Sequence, residues 1–322
     1  MSTVPDKPTS DPSLSNPSAS VVHNYADGDV ILQSSDGIQF RLYKLILKMA
    51  SPIFADMFSL PQSPRAVEGD DQLELEVPIV VMLEDAKTLT IMLDLCFPGP
   101  LPPLNSLDDA KIAIAVMKKF QLEFSEDYVK GKLMENTLGN PERVFAIGWQ
   151  HEWKDIVISA AKASLRQPLL TGAIVAEFAN IPATAAWQLL TYQRACSGSC
   201  MVLARFWQTW MTRENAPSPL LVESGGCRCV RLGLCTKYPA GQPNFILSSW
   251  GVTYMDSACD TLQHTPYPSS ITSLAFLAPI LMEAGLCDVC KDTACHALEV
   301  FGHHFAEQLE NAISIIDIET PF

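Results

Sequence analysis

The chain has 322 residues, 48% of them hydrophobic and 18% charged, with a formal net charge of −14 at pH 7. That length has room for about two domains, and the composition is that of a well-buried globular protein rather than a disordered one. The acidic balance argues against nucleic-acid binding, because gripping a phosphate backbone requires a clustered basic surface.

No uninterrupted apolar run reaches membrane-spanning length, and the first twenty residues lack the apolar core of a signal peptide. Ten cysteines in such a chain point to reduced thiols, metal sites or core packing rather than a disulfide framework. The expectation is an intracellular protein, cytoplasmic or nuclear, with no membrane partner. Residues 1–24 are rich in Ser, Pro, Thr and Asp and have too little apolar surface to offset their ordering entropy, which predicts a disordered tail.

The most densely specified stretch follows at Asp29–Leu60. Val30, Ile31 and Leu32 predict a short strand buried on both faces. Ser34-Ser35-Asp36-Gly37 supplies a hairpin turn, and Ile38 and Phe40 alternate with polar neighbours as in a second strand. From Leu42 the period becomes helical, with Leu42, Leu45, Ile46 and Met49 on one face. Ser51-Pro52 ends that helix and starts another, Ser as N-cap and Pro at the first helical position. Ile53, Phe54, Met57 and Phe58 form the apolar face of the second helix.

After a Pro- and charge-rich loop, Leu73–Val77 alternates like an edge strand stopping at Pro78. Leu89, Met92, Leu93 and Cys96 mark a helix ended by Phe97-Pro98-Gly99, and Leu107–Phe120 a further one with Ala110, Ala113, Ile114 and Met117 inward. Tyr128–Leu138 adds another. The predicted fold over residues 25–140 is α+β, a small β-sheet flanked by helices.

This order of elements resembles the BTB/POZ domain family. Asp29-Val30 is similar to the family's first-strand Asp-Val, and Phe40–Leu47 to its F-x-x-H-[KR]-x-x-L string. Ser51–Phe58 fits S-x-x-F-x-x-M-F, Phe97-Pro98-Gly99 stands where the family often has Tyr-Thr-Gly, and Ala115–Phe120 resembles A-x-x-[LM]-x-K-[YF]. The usual His is Tyr43 here, followed by the basic Lys44. The resemblance implies homodimerisation, with Asp29, Tyr43 and Lys44 in a charged pocket near the interface and an Asp29–Lys44 pair. A strand-end Asp and an unpartnered snorkelling Lys is the alternative. It also implies an adaptor bridging an unknown protein client to a cullin-type ubiquitin ligase scaffold or a transcriptional complex. Ala66-Val67-Glu68 is the only candidate for the hydrophobic-x-Glu element of some ligase adaptors, and its Ala is a poor anchor.

Residues 141–215 read as a helical domain. Val144, Ile147, Gly148 and the small residues from Ile156 to Ala163 suit close helix packing, and Trp149, Trp153, Trp187, Trp207 and Trp210 add apolar area. Residues 216–322 read as a Cys-containing loop region around one short ribbon. Tyr254, Ala258 and Leu262 mark a helix over Trp250–Leu262, and the closing helix Cys295–Ile316 places Leu298, Phe301, Phe305, Leu309, Ala312 and Ile316 on one side. Between Cys287 and Glu319 seven acidic residues stand against Lys291 alone, which predicts an acidic exposed face. The second half as a whole is expected to be mostly α-helical, and its combination with the first resembles a group of fungal BTB-domain proteins.

Cys227-x-Cys229 in a Gly-rich turn and Cys287-x-x-Cys290 before the last helix supply four thiols with the local spacing of a structural Zn²⁺ site. Cys235, Cys295 and His296 are rival ligands, and free thiols are the plainer account. Cys196 and Cys200 share a helix face, which suits core packing. No nucleophile elbow, phosphate-binding loop or dinucleotide fingerprint occurs, and His151-Glu152 lacks the second His of a zincin. The chain therefore reads as a non-enzymatic interaction module, the alternative being a zinc- or cysteine-dependent enzyme in the C-terminal half.

Overall fold

In β1 (Val30–Gln33) the side chains of Val30 and Leu32 are fully buried while Ile31 and Gln33 are half-exposed. The strand thus packs one face and not the two expected from its apolar run. The computed structural model describes residues 23–60, 77–169, 175–212, 214–223, 229 and 245–322. They belong to two compact units, Met1–Leu133 and Met134–Phe322.

In the first unit the turn at Ser34–Gly37, with Gly37 at φ 87°, returns the chain into β2 (Gln39–Leu42). β2 pairs antiparallel with β1, Val30 opposite Leu42, and buries Phe40 and Leu42. The third strand, β3 (Ile79–Val81), runs parallel to β1 on its other side, giving the order β2-β1-β3. It begins after Pro78, where the edge strand was expected to stop. Proline lacks an N–H but keeps its carbonyl, and Pro78 accepts the Ile31 N–H at 2.9 Å. Residues 73–76 and Ala66-Val67-Glu68 lie outside the described residues.

The first helix, α1 (Lys44–Ala50), starts two residues later than its period suggested, Leu42 being claimed by β2. α2 (Pro52–Ser59) follows Ser51, whose side chain accepts the Phe54 N–H. α3 (Ala86–Cys96) is N-capped by Asp85, and α4 (Leu107–Phe120) by a full capping box between Ser106 and Asp109. α5 (Glu126–Glu135) ends the first unit and enters the second.

Ser51 joins two of these helices. Its hydroxyl, fully buried, donates to the Phe120 carbonyl at 2.6 Å while accepting the Phe54 N–H at 3.3 Å. Above it the Phe54 and Phe120 rings stack at 5.2 Å. Ser51→Ala removes a cap and leaves a carbonyl at the C-terminus of α4 without its buried donor, so a loss of about 2 kcal/mol is expected. A shift of the urea midpoint at unchanged slope would show it, and a change below about 0.5 kcal/mol would mean that solvent replaces the hydroxyl.

The second unit opens with the hairpin of α6 (Pro141–Gln150) and α7 (Lys154–Ser164). Gly148 lets the two helices approach, since a Cβ there would sit 2.8 Å from Ile156 Cγ2. α8 (Ala183–Arg205) packs on α9 (Ser249–His264) and α11 (Ala294–Ser314), so residues on both sides of position 215 share one core. Between α8 and α9 the predicted ribbon is present as β4 (Leu221–Glu223) paired antiparallel with β5 (Phe245–Leu247).

Phe301 and Phe305 of α11, Tyr254 of α9 and Trp210 form an aromatic cluster with centroids 5.1–6.4 Å apart. Of the expected α11 stripe, Leu298, Phe301, Phe305 and Leu309 are buried, but Ile313 closes it in place of Ala312 and Ile316. Trp187, expected to add packed area, is exposed with the Arg194 guanidinium 5.7 Å from its ring. One helix was absent from the sequence reading, α10 (Leu274–Gly285). Among the described residues, no helix is long and apolar enough to cross a membrane.

Candidate functional site

Two groups of residues stand out, one in each unit. In the first, the loop before β1 delivers two aspartates, Asp27 and Asp29, to the start of α1. Asp29 Oδ1 accepts the backbone N–H of Lys44 at 2.7 Å. The carboxylate therefore holds an orphan donor at the helix N-terminus, favoured also by the helix dipole. Its contact with Lys44 is through the backbone and not the ammonium. Tyr43 donates its hydroxyl to Asp27 Oδ1 at 2.5 Å. That bond holds the Asp27 carboxyl below its usual value and pushes the Tyr43 phenol above its own. Tyr43 also packs on Tyr25, ring centroids 4.9 Å apart. The three predicted pocket residues thus lie together, with Asp27 and Tyr25 as members that the family strings did not indicate.

Next to them the α1 face is reversed from expectation. Leu47 is buried, while Leu45 and Met49, four residues apart, are 67% and 80% exposed. The helical period was legible, but the side facing the core was not, because α1 buries only the side toward α2 and α3.

In the second unit, the Sγ atoms of Cys229, Cys287 and Cys290 all lie within 4.8 Å of one another. Cys290 is fully buried and the other two half-buried. Their positions follow from local hydrogen bonds. The Cys229 carbonyl accepts the Ser249 N–H at 2.8 Å, fixing it beside the start of α9. The Cys287 carbonyl accepts from Cys290 and Lys291, and the Cys290 carbonyl from Thr293 and Ala294, two successive turns leading into α11.

Cys229 and Cys290 sulfurs are 3.3 Å apart, beyond a disulfide bond of about 2.05 Å. A tetrahedral thiolate site with Zn–S bonds of about 2.3 Å separates its sulfurs by roughly 3.8 Å. The donor set suits a soft divalent metal, with the Cys229 and Cys290 sulfurs closer together than a tetrahedral ion would hold them. Cys227, the fourth predicted ligand, lies outside the described residues, as does Cys235. Cys295 and His296 are exposed and, among the described residues, do not join the cluster.

The remaining thiols divide by burial. Burial pushes the thiol of Cys96 up to about 12, that of Cys196 to about 11 and that of Cys200 to about 12. Only a thiolate reacts readily, so these three are expected to resist alkylation at pH 8 in the folded protein while the exposed Cys295 is modified. Peptide mapping by mass spectrometry after iodoacetamide treatment checks this. Labelling of Cys196 or Cys200 at the rate of Cys295 would show that α8 opens.

Residues 23–137 match the family model of the BTB/POZ domain. No match is found among curated proteins.

Proposed function

We propose that the protein is an adaptor that homodimerises through its BTB/POZ domain and presents a client-binding C-terminal half. The domain itself is a protein–protein interaction module. The observation that carries the dimer is the Leu45–Met49 ridge on α1, large apolar side chains in solvent beside the Tyr25–Tyr43 pair. A second copy offering the same ridge across a two-fold axis would cover both at once. Asp29, Tyr43 and Lys44 would then border the contact. A cullin-type ligase scaffold or a transcriptional complex is the proposed destination in an intracellular compartment.

Light scattering of the full chain at tens of micromolar is expected to give a dimer, and the Leu45→Asp/Met49→Asp variant a monomer with unchanged helical circular dichroism. A monomeric wild type would sink the dimer, and a dimeric variant would move its interface off α1.

Cys229, Cys287 and Cys290, with Cys227, are the proposed ligands of a structural zinc ion. Bound there, zinc would cross-link the segment leading into α9 with that leading into α11 and need do no chemistry. One equivalent of zinc is expected by elemental analysis, lost in Cys287→Ser/Cys290→Ser. Metal-free protein that is fully folded with reduced thiols would remove the idea. The alternative is a zinc- or cysteine-dependent enzyme in the second half, for which Cys196 and Cys200 are poor nucleophiles, since burial pushes both thiols up.

A further inference from the structure

A helix that is apolar all round belongs in an interior, yet α10 carries one ionisable residue, Glu283, and buries only Ile280 and Ala284. Leu274 and Met282 are 78% and 77% exposed. With Ala278 between them they form an i, i+4, i+8 ridge, continued by exposed Leu286, over roughly 18 Å at 1.5 Å per residue. Beside the ridge opens a cavity of about 300 Å³, walled by Leu277 and Leu281 of α10 and Leu298 of α11. Its α11 side carries Cys295, Glu299 and His303. Pro279, having no N–H, leaves the Ala275 carbonyl without an i+4 donor on this helix.

The carboxylates of α10 and α11 are not matched by any cationic Lys or Arg on these two helices, and Glu299 and His303 line the cavity itself. Glu299, His303, Glu307 and Glu310 follow one another at helical spacing along α11, all exposed. Neither α10 nor α11 contains a lysine or arginine. Among the described residues none of these three carboxylates pairs with either, Glu307 having only the His304 ring at 3.9 Å. His303 Nδ1 lies 2.8 Å from the Glu299 carbonyl, which can only accept, so the neutral ring carries its proton on Nδ1 and offers Nε2 as a further acceptor.

We propose that the α10–α11 groove docks an amphipathic helix of another protein, with an apolar ridge seated on Leu274, Ala278 and Met282, a large side chain in the cavity, and lysines or arginines along the Glu299–Glu310 row. This deepens the interaction-module reading by naming the chemistry of the client. A 4-4 ridge is a helix-packing surface, and the acceptor row selects a basic flank. A second copy of the chain is disfavoured as occupant, since a two-fold contact here would bring two rows of unneutralised carboxylates together.

The test uses the full-length protein and fluorescence anisotropy of a labelled Leu/Lys amphipathic helical peptide, with its Leu/Glu counterpart as comparison. The Lys peptide is expected to bind and the Glu peptide not. Leu274→Asp/Met282→Asp adds negative charge, so association through charge alone would strengthen, whereas seating on the apolar ridge weakens about tenfold. Glu299→Lys/Glu307→Lys is expected to weaken binding about tenfold as well, while Asp56→Lys/Glu123→Lys, the same charge change in the first unit, leaves it within about twofold.

Absence of binding, tighter binding by the Asp variant, or equal loss with the control pair would overturn the proposal. So would self-association of the full chain abolished by Leu274→Asp/Met282→Asp, which would make a second copy the occupant. Because the α1 dimer is read separately with the Leu45/Met49 variant, a monomeric protein that still binds the peptide would fail that reading and leave this one standing.

Discussion

Replacing Phe301 by alanine is expected to cost about 4 kcal/mol, the range for emptying a large aromatic site in a packed core. Phe301 is fully buried on α11 and touches rings from three other positions. Trp210 stacks on it at 5.7 Å, Tyr254 of α9 meets it edge-on at 5.6 Å, and Phe305 lies one turn on at 5.8 Å. These aromatic pairs add to the area term, and the neighbours sit on three elements that cannot all collapse into one gap. Phe301→Leu keeps most of the volume and should cost roughly 1.5 kcal/mol. Urea unfolding followed by tryptophan fluorescence, with Trp210 and Trp250 as reporters, measures both. A loss under about 1 kcal/mol for the alanine variant would mean that the helices re-close and that the cluster is not the core of the second unit.

Arg143→Ala is expected to destabilise by about 2–3 kcal/mol through a different cause. Arg143 on α6 donates Nε and Nη2 to Oε1 of Glu177 at 3.1 and 2.8 Å. Glu177 sits in the 3-10 turn Ala176–Asn180 and is 3% exposed. Removing the guanidinium takes two charged hydrogen bonds from a carboxylate that is almost fully buried, and the half-exposed position of Arg143 lets water replace part of them. The cost is therefore set below the value for a fully buried pair. Arg143→Leu/Glu177→Leu removes both charges and is expected to recover most of the loss. A double variant no more stable than Arg143→Ala would show that the pair contributes packing and not charge compensation.

Local signals in the sequence were reliable wherever one residue settles one backbone group. Ser51-Pro52 starts α2, Gly37 takes the positive φ of the hairpin, and α4 spans Leu107–Phe120 as its pattern indicated. The five strings of the first unit were legible because β-strand alternation and helix caps are properties of neighbours in the chain. The candidate metal ligands Cys229, Cys287 and Cys290 were legible too, since knuckle spacing survives any intervening length. The partner of Arg143, 34 residues away, left no such trace, nor did the Asp27–Tyr43 bond.

α10 escaped for a related reason. Leu274–Gly285 is apolar on every side and interrupted by Pro279, so no hydrophobic period marks it as a surface helix. The sequence by itself determined the class of the first unit, its order of elements, the mostly helical second half and the acidic α11 face. Only the tertiary structure decided which faces are covered. It buries Leu47 and leaves Leu45 and Met49 in solvent, seats Cys229 beside residues some sixty positions later, and exposes α10. Periodicity states that a helix has an apolar side, but whether that side meets its own core or another molecule depends on which elements the chain can bring alongside it, and that is a property of long-range packing.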